Sequence, residues 1–194
     1  QLGRDLWERY RKLVGRANAA NTENGPAPGA VITMMAMYEN KFAALDTEIE
    51  QVVLKAKIPT QGLESSKFQR DLIYELLDIR MLKAVVAGTP DRATLETESF
   101  KDLKEYCEGS SNSPGMDERA RKQLRDAGYS DPEIDRIDEK LVHGRNADWI
   151  PKLEALFAAP GVFVAVGAGH LDGARGVIKL LQARGWKIER IPPN

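Results

Sequence analysis

His170, in the run Gly167-Ala168-Gly169-His170, is the residue whose type and setting carry the sharpest chemical implication. An imidazole accepts or donates a proton near neutral pH and is a common metal ligand. The run follows Val162-Phe163-Val164-Ala165-Val166 and precedes Asp172, where a helix is predicted to open. That order places His170 at the carboxyl edge of a strand, where open α/β sheets bind ligands. Gly167 and Gly169 let backbone come close to a ligand and present amide hydrogens. The plainer alternative is a histidine that caps the helix or bonds a loop.

Three further residues have chemistry to offer. Arg145 stands beside Asn146, where a guanidinium grips a carboxylate or phosphate with two hydrogen bonds, or merely satisfies helix-end carbonyls. Glu64 closes the strand candidate Lys57–Glu64; it is a metal ligand or general base if that strand shares the sheet, or else a helix N-cap acid. His143 lies near Arg145, and with His170 and a carboxylate it would make up a zinc ligand set on paper, though no spacing supports that. A rival reading takes Gly167-x-Gly169-x-x-x-Gly173, with Glu189 about twenty residues on, as a dinucleotide-binding fingerprint. The bulk of His170 and the helical character of the upstream chain weigh against it. Phosphate-loop, Gly-x-Ser-x-Gly and His-Glu-x-x-His motifs are absent from the sequence.

The elements that must position these residues are mostly helical. Apolar spacing predicts helices over Leu2–Ala20, Ala30–Asn40, Phe68–Val86 and Thr89–Tyr106, and Thr47-x-x-Glu50 has the form of a capping box. The group Met34, Met35 and Met37 suits core filling. Glu108–Gly115 reads as a loop. Asp117–Ala127 and Pro132–Val142 form a predicted helical hairpin around Gly128, with Ser130 and Glu133 as a capping box. A helix is predicted to begin at Asp148, with Pro151 in its first turn. Val162–Val166 then reads as a strand buried on both faces, and Trp186–Ile191 as a half-buried one. A strand–helix–strand order implies parallel pairing with a right-handed crossover.

Composition bounds the rest. With 194 residues, 42% of them hydrophobic, the chain is long enough for a sizeable core. A formal net charge of -1 gives no electrostatic reason to expect nucleic acid or an anionic membrane as partner. Cys107 is the only cysteine, so no internal disulfide forms. The longest apolar stretch, Ala30–Tyr38, falls far short of the roughly 20 residues that cross a bilayer. The first residues show no basic-then-apolar signal pattern.

Four runs together resemble the end of the TraB/GumN family, which is related to the Tiki metalloproteases. They are Leu141–Asn146, Trp149–Leu156, Val162–Leu171 and Leu180–Glu189. A weaker likeness covers Ala44–Asp46 and Gly62–Ser65. The resemblance implies an α/β domain whose site combines two Gly-x-x-His motifs, an acidic residue and an arginine. Gly167 to His170 matches the second such motif and Arg145 matches the arginine; the first motif has no counterpart here, and Glu64 is the available substitute for the acid. The implied activity is metal-dependent hydrolysis of a peptide or small-molecule substrate, with Mn, Co or Zn on His170, and the implied location is the periplasm or envelope.

The expectation carried forward is a helix-rich α/β fold. It has a small, mainly parallel sheet of about three strands and a helical insertion over 89–143. It is a single, incomplete domain over 1–194, lacking the front strands and the histidine they carry. Such a site would be incomplete or inactive in this chain alone. The competing class is a non-catalytic module that holds a ligand such as haem at the same edge.

Overall fold

The computed structural model describes residues 2–39, 45–89, 91–108 and 116–191. Two compact units divide the chain, Gln1–Arg92 and Ala93–Asn194.

In the first unit, α1 (Arg4–Val14), α2 (Arg16–Thr22), α3 (Ala27–Glu39) and α6 (Ile79–Gly88) pack together, while α4 (Leu45–Ala56) and α5 (Ser66–Leu76) complete the order. The helix expected over Leu2–Ala20 breaks at Gly15, whose φ of 83° is open to glycine and costly for other residues. The helix expected over Phe68–Val86 breaks as well. The Asp78 carboxylate accepts from the amides of Arg80 and Met81, both at 2.9 Å, and starts a new helix there. Tyr10, Val14, Val31, Met34, Leu82 and Val86 form the core. Thr47 and Glu50 lie inside α4, which begins earlier, at Leu45. The loop expected over Glu108–Gly115 falls, from 109 on, outside the described residues.

The second unit contains all but the first residue of α7 (Arg92–Cys107), then α8 (Glu118–Asp126) and α9 (Asp131–Asp138), which pack as the expected hairpin. The Ser130–Glu133 capping box is present. A π-turn, Glu139–His143, then carries α9 directly into α10 (Gly144–Phe157), so Arg145 lies inside a continuous helical rod. Pro151 is therefore interior and not in a first turn. The one extra residue of a π-turn sets the register back by about 100°. On either side of it, α9 buries Ile134 and Ile137, and α10 buries Asn146, Trp149, Ile150 and Leu153.

The expected sheet is not formed: the described residues contain no strand and are helical rather than α/β. Lys57–Glu64, Val162–Val166 and Trp186–Ile191 carry no strand. Strand stability comes from cross-strand hydrogen bonds and side-chain pairs, and no ladder joins Val162–Val166 to another segment among the described residues. This run is also not buried on both faces. Val162, Val164 and Val166 line a trough of about 530 Å³ with Leu153, Phe157 and Leu181, while Phe163 is 76% exposed. The trough belongs to the second unit, where α11 (Val177–Ala183) packs on α10.

Candidate active site around His170

Among the described residues, Asn146 is the one buried polar residue, at 0% exposure, and the site is built on it. Its helix places it under a short 3₁₀ turn, Ala168–His170, and the loop that follows. The Asn146 Oδ1 accepts from His170 Nδ1 at 2.7 Å. Its Nδ2 donates to Arg175 O at 2.9 Å and to His170 O at 3.3 Å. The Trp149 ring stands 4.5 Å from the His170 ring, centroid to centroid, tilted by 43°.

Arg145 closes the other side. Its Nη1 donates to Leu141 O at 2.8 Å and lies 3.5 Å from His170 Nε2. The guanidinium also sits 5.0 Å over the Trp149 ring, within cation–π range. Of the two roles read from the sequence for Arg145, the contact with a helix carbonyl is seen, at Leu141 O, and the same guanidinium also faces the histidine.

The loop bearing His170 is tied down twice. Arg175 pairs with Glu139 of the π-turn, Nη1 to Oε2 at 2.6 Å and Nη2 to Oε1 at 2.8 Å. The hydrogen bond from Arg175 holds the Glu139 carboxyl below its ordinary pKa, and Glu139 raises that of Arg175. Gly176 is required by space: a Cβ there would meet Asp172 O at 2.2 Å and Leu171 O at 2.4 Å.

The other residues named from the sequence fall elsewhere. Gly167 precedes the 3₁₀ turn and Gly169 lies within it. The next α-helix starts only at Val177, so Gly167 and Gly169 do not deliver a helix amino terminus for a pyrophosphate. Glu189 pairs with Lys187 at 3.0 Å. Glu64 belongs to the first unit, where it accepts from Gln69 Nε2 at 3.4 Å, and Ser65 rather than Glu64 caps α5. The His143 Nε2 is 3.5 Å from Asp138 Oδ2, and its Nδ1 is buried with no hydrogen-bond partner among the described residues. Cys107 is exposed.

A divalent metal fits this donor set poorly. A protein site needs three or more side-chain ligands as a rule, and among the described residues no cluster of three His, Cys, Asp or Glu side chains exists. The other imidazole nitrogen, Nε2, meets a guanidinium at 3.5 Å, which repels a cation and suits an anion. Sequence reasoning passed over Asn146 and Trp149. The signal was available: a lone amide in the buried stripe 146, 149, 150 and 153, adjacent to the candidate arginine.

No helix among the described residues is long and apolar enough to cross a membrane. Comparison with curated proteins and with solved structures finds no match to the chain. The profile of the TraB/PrgY/gumN family matches residues 1–190, and the chain belongs to that family.

Proposed function

We propose that this TraB/PrgY/gumN protein is a hydrolase acting on a carbonyl centre, such as a peptide or ester bond, with His170 as proton carrier and Arg145 as stabiliser of negative charge. The observation that carries the reading is the His170 Nε2 held 3.5 Å from Arg145 Nη1 by the buried Asn146. In this scheme Nε2 takes a proton from water as the oxygen attacks the carbonyl carbon. The carbonyl π electrons move to oxygen, beside the guanidinium, and the leaving amine or alcohol collects the proton from Nε2 as its bond breaks. An oriented base and a charge stabiliser each supply roughly 100-fold or more in such reactions. The family likeness of the carboxyl-terminal runs supports an envelope location, which fractionation of expressing cells would check.

The test is turnover of a panel of peptide and ester substrates by the chain and by His170→Ala and Arg145→Ala. The panel is run with chelator and again with Mn, Co or Zn. Loss of turnover in both variants supports the scheme, whereas full turnover by His170→Ala sinks it. Activation by metal that survives Arg145→Ala but not His170→Ala would restore the metal-ligand role expected for the histidine.

A second reading, a non-catalytic ligand-binding module, draws on the apolar trough of about 530 Å³ lined by Leu153, Phe157, Val164, Leu181 and Trp186. Saturable binding of an apolar dye, lost in Leu181→Glu and unaffected in His170→Ala, with no turnover of any substrate, would favour it.

A further inference from the structure

We infer that Asn146 is the positioning residue of this site: it selects the tautomer of His170, so that Nε2 is the nitrogen turned toward Arg145 and the ligand. This deepens the hydrolase reading, and its structural part stands without it. The amide's own orientation is decided by chemistry. Its nitrogen faces two carbonyl oxygens, Arg175 O at 2.9 Å and His170 O at 3.3 Å, which only accept. The opposite orientation would bring three oxygens together in a fully buried place, where an unmade hydrogen bond costs most. With both N–H groups committed, Oδ1 is left to face His170 Nδ1 at 2.7 Å. An amide oxygen only accepts, so Nδ1 carries the hydrogen whatever the charge of the ring.

The consequence reaches Nε2, the nitrogen left with a lone pair in the neutral ring. Arg145 Nη1, a donor only, lies 3.5 Å from it, a pairing that suits a lone pair and not a second N–H. Trp149 holds the ring plane from its face. Asn146 therefore acts through His170 and touches no substrate, as an orienting group does for other catalytic histidines.

The experiment reads the tautomer by ¹⁵N NMR of the His170 imidazole in the full chain, with His143→Gln used to assign the signal. The expected result is hydrogen on Nδ1 and an unprotonated Nε2 in the neutral ring. Asn146→Leu moves the neutral ring toward the Nε2–H form, and Asn146→Asp, which keeps an acceptor at Nδ1, retains the original one. An Nε2–H tautomer in the unaltered chain, or in a folded Asn146→Asp, overturns the inference. Where turnover is measurable, Asn146→Leu lowers kcat by roughly 10–100-fold with KM changed less than about 2-fold, and Asn146→Asp recovers part of the loss. A chain with the Nδ1–H tautomer but no turnover removes the hydrolase reading and leaves the positioning role in place.

Discussion

Phe163→Ala separates the two accounts of the apolar run Val162–Val166. Burying a phenylalanine side chain is worth about 1.5–3 kcal/mol. Phe163 is 76% exposed, so about a quarter of that gain is at stake, which is below about 1 kcal/mol. Were the run a strand covered on both faces, the same truncation would leave a cavity and cost about 3–5 kcal/mol. With a denaturant slope of about 2 kcal/mol per molar in urea, the first case lowers the midpoint by at most about 0.5 M and the second by about 1.5–2.5 M. Leu153→Ala, at a position 1% exposed, serves as the buried control and is expected to cost about 2–5 kcal/mol. Hydrogen exchange gives an independent readout. The amides of 163–166 lack ladder partners among the described residues and are expected to exchange far faster than those of α10. A midpoint loss above about 1 M for Phe163→Ala, or amides protected like those of α10, would refute the exposed placement.

Other expectations follow from the loop and the rod around His170. Glu139 has a lowered pKa when folded, so its pairing with Arg175 stabilises the protein above the ordinary carboxylate value of 4.5 and ceases to do so as pH falls through the lowered value. Glu139→Gln is therefore less stable at neutral pH, by less than about 1 kcal/mol for so exposed a pair, and the gap closes in acid; urea midpoints across pH check it. Gly176→Ala forces a methyl group to within 2.2 Å of a backbone oxygen, and thermal melting should show a loss of about 1–3 kcal/mol or more, with the His170 ring signal displaced. His143→Leu should cost less than about 1 kcal/mol in the same melts, because the ring leaves Nδ1 buried with no hydrogen-bond partner among the described residues and meets Asp138 only at 3.5 Å. A larger loss would mean that the Asp138–His143 contact is worth more than its length indicates.

Much of the local order was legible in the sequence because it is written in short-range chemistry. The Ser130–Glu133 capping box, the α8–α9 hairpin and the core role of Met34 depend on residues a few positions apart. The break at Asp78 was equally local, since one carboxylate there accepts from two amides, but apolar periodicity masked it. His170 and Arg145 were singled out by type and neighbourhood, and the structure places them 3.5 Å apart across 25 residues of sequence.

What tertiary structure decided is pairing and register. Strand patterning in Val162–Val166 marks residues able to extend, but a sheet exists only where another segment supplies hydrogen bonds, and none does among the described residues. The π-turn at Glu139–His143 has no signature in apolar spacing, because it is a single widened turn between two ordinary helices and buries no residue of its own. Asn146 comes to lie beneath His170 where the loop after the 3₁₀ turn packs on α10, and the orientation of the buried amide then follows from two carbonyl oxygens that are 24 and 29 residues away in sequence. Residue types thus defined what chemistry was available, while the packing of the His170 loop on α10 decided which nitrogen of His170 faces Arg145.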